Sequence, residues 1–388
     1  MWDTAHRSML PAAPFTLPAA GDAWLVDARA RYLRQSLRRL LDWPDGAPAH
    51  VLAAYRAVRE VLTEVFRANP ADMLSSLSLP SIGAPLHAGA LDVAVPNLLL
   101  ELARRRLLPP EGVWWSAPVR ALVNPPLGVG RQYDPALVGV LFLPGHVSIA
   151  RHEEWALTGN NGDFLALRQG GWLALADANP LANVEGHPEK SGNGTSVGDT
   201  SCDTWVCRLD AARDIIAQSL PGLAGEHRQL LACINPVGTH DEQSFSASYR
   251  ESIGQIYVSL HPDQVVMAEA IVHEMQHNKA NLLSYTDPLL ENANVLTSSP
   301  VRPDLRPLWG VLLAAHAFLP VEVMLRVRAQ QHPTPSLESR LARIRLVNRA
   351  AMNTLRTEAV CTEVGKRLLS GLDALEVAME SAVSFMVD

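Results

Sequence analysis

Lysine is almost missing from this chain. It stands only at 190, 279 and 366, and arginine supplies the rest of the 33 basic residues. Against 40 acidic residues this leaves a formal net charge of −7 and a pI near 6.0. Without a basic surplus, bulk electrostatics argue against nucleic-acid binding. Cysteine is scarce too, at 202, 207, 233 and 361. Cys202 and Cys207 form one close pair, and no second close pair completes a zinc knuckle. Residues Met1 to Asp22 lack the basic-then-apolar pattern of an export signal, so reduced thiols and a cytoplasmic location are expected. No clean apolar run has the length of a membrane span. The nearest, Leu308 to Leu325, contains His316, Pro320 and Glu322 and reads as a buried helix. What the chain does have is 48% hydrophobic and 19% charged residues, enough for a large globular core.

The first third looks helical. Ala23–Leu41 and His50–Arg67 carry apolar residues at three- and four-residue spacing, and Asn97–Leu108 ends before a Pro-Pro pair. Pro70–Pro96 between them reads as turn-rich. The middle has strand composition at Val113–Leu122, Leu137–Phe142 and Val147–Ile149, with a hairpin expected from Asp163–Leu167 and Gly171–Ala176. A polar, Gly-rich loop over 177–203 is expected to be flexible, with a substrate-gripping lid as its functional alternative. Helices at Asp210–Gln218 and Gly225–Ile234, a β-rich run at Gln255–Leu260, and amphipathic helices at Leu337–Leu355 and Val364–Ala382 complete the pattern. This predicts an α+β fold with a small mixed or antiparallel sheet. A helical region over 1–110 would precede an α+β metal-binding domain over 111–388.

Residues 273–277 read His-Glu-Met-Gln-His. Two histidines four apart on a helix put both imidazoles on one face, close enough to chelate one metal ion. Five letters of this kind arise by chance, so context must support them. The β-rich run at 255–260, the turn His261-Pro262-Asp263 and then the motif repeat the strand–turn–helix order of zinc peptidases.

Such a site needs a third protein ligand. The metzincin pattern fails, because its Gly and His positions are Ala280 and Leu283. Asp287 and Glu291 are the carboxylate options on zincin geometry. His316 is preferred. It stands alone in an apolar helix, and Pro320 removes the helical hydrogen bond to its carbonyl and kinks the chain there. Just upstream, Arg302 and Arg306 lie four apart in a proline-stiffened segment. Arginine grips carboxylates bidentately, so the pair suits an anchor for an acidic cosubstrate such as 2-oxoglutarate. The edge of the Tyr257–Leu260 run, with Tyr257 and Ser259, could pair with an extended peptide. Lys279 and Asn281 are candidate substrate contacts, with a solvated helix face as the plainer reading.

These residues give the chain a resemblance to the HExxH-motif proteins found beside ribosomally made peptide natural products, the 2-oxoglutarate-dependent peptide β-hydroxylases. The likeness runs from about Ser244 to Arg328. It includes Ile256 to Leu260, Val272 to Lys279, Asn281-Leu282-Leu283, the run from Arg302 to Gly310, and His316-Ala317-Phe318. In that family a histidine also falls one turn earlier in the last helix, where this chain has Leu313. The resemblance implies Fe(II), 2-oxoglutarate and O2, with His273, His277 and His316 as ligands and Arg302 and Arg306 holding the cosubstrate. It implies hydroxylation of an unactivated, β carbon in a precursor peptide. Imidazole suits zinc as well as iron. Two other classes therefore stay open: a zinc metallopeptidase with Glu274 as general base, and a non-catalytic binder of a precursor peptide. Substituting Glu274 with Gln abolishes a peptidase, whereas an oxygenase requires no such base.

Overall fold

The computed structural model describes residues 17, 24–42, 47–149, 153–156, 162–182, 194–241, 244–300 and 304–384. The chain forms two compact units, each from separate stretches. A sheet unit takes Ala30–Cys207 and Leu231–His261, and a helical unit takes Met1–Arg29, Arg208–Leu230 and Pro262–Asp388. The expected division at 110/111 is thus replaced by one that follows packing. The early helices fall with the strands, and the HExxH segment falls with the C-terminal helices.

In the sheet unit, α1 (Trp24–Leu41, from Ala30 onward) and α2 (Ala49–Ala68) match the apolar periodicity. The stretch read as turn-rich is instead helical, as α3 (Pro70–Leu77), α4 (Pro80–His87) and the start of α5 (Leu91–Arg104). Pro70 and Pro80 occupy first helical turns, where a missing N–H costs nothing. Pro85 and Pro96 lie inside buried helices, where tertiary packing overrides local preference. Four antiparallel strands follow in sequence order: β1 (Val113–Asn124), β2 (Val129–Leu143), β3 (His146–Ile149) and β4 (Glu153–Ala156). Tyr55, Leu62, Leu98, Leu99, Trp115 and Phe142 are fully buried in one core formed by these helices and strands. Each such aliphatic side chain contributes about 1.5–3 kcal/mol.

The second sheet has the order β5 (Phe164–Ala166), β6 (Trp172–Ala174), β7 (Cys233–Thr239), β9 (Gln255–Leu260) and β8 (Ser246–Ala247). The expected hairpin is β5–β6. β7 runs parallel to both β6 and β9. The helix expected over Gly225–Ile234 ends early, at Leu230, because Cys233 and Ile234 are claimed by the buried strand β7. Of the loop expected to be flexible, 183–193 lies outside the described residues. Its described start is pinned: Asp177 accepts hydrogen bonds from Tyr257 (2.5 Å), Gln255 (2.8 Å) and the Asn179 backbone (2.8 Å).

In the helical unit come α6 (Cys202–Ser219, from Arg208 onward), α7 (Pro221–Leu230), α8 (Gln264–Ser284), the hairpin β10 (Leu296–Ser298) and β11 (Leu305–Pro307), α9 (Leu308–Gln331), α10 (Pro335–Glu358) and α11 (Glu363–Ser384). α9 packs against α8, α10 and α11 and is buried along most of its length. Among the described residues it is the one helix long and apolar enough to cross a membrane, and most of it lies inside the protein. With 57% helix, 19% strand and small sheets that do not close, the fold class is α+β.

Candidate metal centre

α8 carries the HExxH residues. It starts where the sequence turns: the Asp263 side chain accepts from the Val265 N–H at 2.8 Å and caps the first turn. His273 and His277 lie one turn apart with ring centroids 4.3 Å apart and planes at 70°. Both are part-exposed, whereas Glu274 between them is buried. One ligand atom from each of the three lies within 4.8 Å of the others, and this is the one such His/Cys/Asp/Glu group among the described residues.

The donor set fits a metal ion. Burial holds the His277 pKa below the usual histidine range, with the Glu274 charge opposing. The ring is therefore neutral near pH 7, the form that ligates. Its Nδ1 is buried without a hydrogen-bond partner. An orphaned buried group of this kind costs about 1–3 kcal/mol, which coordination by the ring would offset. Two imidazoles and a carboxylate suit iron or zinc. The Phe318 ring from α9 packs on His273 at 4.5 Å between centroids and 50° between planes, which fixes that imidazole's orientation.

His316, expected as the third ligand, is not in this group. It is fully buried on α9. Its Nδ1 is directed at the Gln276 backbone carbonyl, 3.1 Å away, and the Gln276 side-chain amide donates to the His316 carbonyl at 3.2 Å. One ring nitrogen, Nδ1, is thus engaged with the backbone of α8. Asp287, a weaker option, accepts from the Leu289 N–H (2.7 Å) and the Thr362 hydroxyl (2.6 Å), so it ties a loop to the start of α11.

Arg302 and Arg306 were the expected cosubstrate anchor. Arg302 lies outside the described residues. Arg306 lies on β11, and its Nε is 2.8 Å from Asp304, with both side chains substantially exposed at 37% and 56%.

The expected substrate contacts resolve differently. Lys279 is neither solvated nor part of a ligand face. Its Nζ forms a 3.0 Å ion pair with Glu226 of α7, and both side chains are buried. It lies about 200° round the helix from His277, on the far side from the imidazoles. Asn281 is also buried, and its carbonyl accepts from Ser284. In the sheet unit, β9 is an inner strand between β7 and β8 rather than an edge, so it offers no free edge at Tyr257 and Ser259. The Tyr257 hydroxyl donates to Asp177, and the Ser259 side chain accepts from the Phe245 N–H.

Gln276, Phe318 and Glu226 were missed by sequence reasoning. Pro320 was the signal for Gln276, since a carbonyl without its helical donor needs another. Phe318 and Glu226 meet α8 only through tertiary packing and left no local signal. No family model matches the chain, and no curated protein matches it in sequence.

Proposed function

We propose that this chain is an Fe(II)- and 2-oxoglutarate-dependent oxygenase that hydroxylates an unactivated, β carbon in a ribosomally made peptide. The observation that supports this best is the composition of the donor group. It contains two imidazoles and one carboxylate, and no other described His, Cys, Asp or Glu joins it. A zinc peptidase needs three protein ligands and, besides them, a carboxylate base. Glu274 cannot serve as both. A two-histidine, one-carboxylate set with open positions is the donor pattern of non-haem iron oxygenases.

In this reading His273, His277 and Glu274 hold the metal. Bound iron, with 2-oxoglutarate and O2, supplies the oxidising power for C–H hydroxylation, and succinate and CO2 are the by-products. The protein's share is binding and orientation. Phe318 packs on the His273 ring and orients it. Glu274, buried against the two rings, offsets one charge of the cation. Arg302 and Arg306 anchor the cosubstrate's distal carboxylate. The Arg306–Asp304 pair is exposed, and such pairs are worth about 0–1 kcal/mol, so exchange for another carboxylate costs little. The partner is a precursor peptide, and the net charge of −7 keeps nucleic acid out of the reading. The proposed location is the cytoplasm.

The test has two parts. Protein loaded with Fe(II) under nitrogen and then given 2-oxoglutarate and O2 should form succinate, and a coexpressed precursor peptide should gain the mass of one oxygen atom. Glu274→Ala should lose iron and turnover together. Full zinc retention with loss of peptide cleavage in that variant would instead mark a peptidase. Peptide binding with no turnover under either metal would mark a binding protein.

A further inference from the structure

Pro320 has no N–H, so the carbonyl four residues earlier, that of His316, lacks its helical donor. α9 continues through this point as one helix from Leu308 to Gln331. The carbonyl is not left bare. The Gln276 amide donates to it at 3.2 Å, and His316 Nδ1 returns a contact to the Gln276 carbonyl at 3.1 Å. Both side chains are fully buried. The two contacts close a reciprocal clasp between the backbones of α8 and α9. It grips α8 at the residue directly before His277.

We infer that His316 is a positioning residue, acting through Gln276 on the turn of α8 that carries His277, and is not itself a metal ligand. This rests on the reading that His273 and His277 hold a metal. With Nδ1–H donating to a backbone carbonyl, the imidazole sets both the rotation of α8 and its distance from α9. Phe318, two residues on, packs against His273. One stretch of α9 therefore braces both imidazoles. Partners of this kind, one step removed from the metal, typically carry 10- to 100-fold in metal affinity.

Asparagine separates the two roles. Its Nδ2 sits where the imidazole Nδ1 sits, two bonds beyond Cβ, so it can donate to the same carbonyl but offers no imidazole nitrogen. The probe is Co(II), followed by its visible spectrum in wild type, His316→Asn, His316→Ala and His273→Ala. His316→Ala should bind about tenfold more weakly than wild type, and His316→Asn should stay within about threefold. His273→Ala should bind far more weakly than either. In metal-free protein the melting temperatures should follow the same rescue, with His316→Asn near wild type and His316→Ala below both. His316→Asn binding as poorly as His273→Ala would make His316 a ligand and overturn the inference. So would wild-type affinity in His316→Ala. Wild-type protein that takes up no cobalt would overturn the metal reading instead. The metal-free melting order would then still decide the clasp, and an Asn variant melting with the Ala variant would refute it.

Discussion

Replacing Lys279 with Met isolates the physics of a buried ion pair on the side of α8 away from His273 and His277. Lys279 and Glu226 are 3.0 Å apart, with side-chain exposures of 1% and 5%. Removing the cation leaves a carboxylate in low dielectric without its counter-charge, a perturbation that costs about 3–5 kcal/mol. Total stability for such a chain is on the order of 5–15 kcal/mol, so Lys279→Met should shift the urea midpoint strongly. Glu226→Leu alone should cost on the same scale, by stranding the ammonium. The double variant, Lys279→Met with Glu226→Leu, strands no charge and should range from neutral to about 1–4 kcal/mol more stable. The neighbouring His227 gives a second reporter. The Lys279 charge is one of the positive neighbours that hold its pKa down, after burial and Arg213, so Lys279→Met should raise it. The assay is equilibrium urea denaturation of the four proteins at pH 7, followed by circular dichroism. Additive single effects, or a Lys279→Met loss under about 1 kcal/mol, would refute the buried pair. A substrate-binding Lys279 would behave in the opposite way, changing KM with stability intact.

Two further outcomes follow from the same electrostatics. His87 and His227 are both held to a pKa of about 3, by burial first and then by positive neighbours. Above pH 6.5 each ring is neutral folded and unfolded, but as pH falls toward 3 only the unfolded chain takes up the protons, so stability drops. The loss from pH 7 to pH 5 is about 2 kcal/mol per ring, and His227→Leu should flatten the profile by that amount in denaturation at the two pH values; an unchanged slope would count against it. Tyr257→Phe removes the hydroxyl that donates to Asp177, whose pKa is already raised by burial. It should cost about 1–3 kcal/mol and push the Asp177 pKa higher, which thermal melts across acidic pH would detect.

Local pattern was legible in the sequence, and tertiary choice was not. The periodicity of α1 and of α2, and the β-rich run of β9, were read with bounds close to the observed ones because each follows from neighbours in sequence. Pro70–Pro96 was misread, since proline signals a turn unless it falls in a first helical turn or packing holds the helix around it. β9 looked like an edge because nothing in its own six residues announces the short strand β8 across from it. At the site, the spacing of His273 and His277 is a property of the helix and could be read directly. His316 was singled out beside an expected kink at Pro320, but α9 runs through as one helix, and what Pro320 changes is the donor to the His316 carbonyl. Its destination could not be read, because the partner of the freed carbonyl is Gln276, forty residues away in sequence.

The division into units has a consequence for how the chain is made. The sheet unit is complete once His261 has emerged, but the helical unit draws on Met1–Arg29, Arg208–Leu230 and everything from Pro262 to Asp388. Synthesis runs from the N-terminus, so α9, which packs on α8, arrives after it. Until it does, α8 holds the imidazoles without Phe318. The nascent chain therefore completes its histidine site late, and a ribosome stalled before α9 would carry a finished sheet unit and two histidines with no brace.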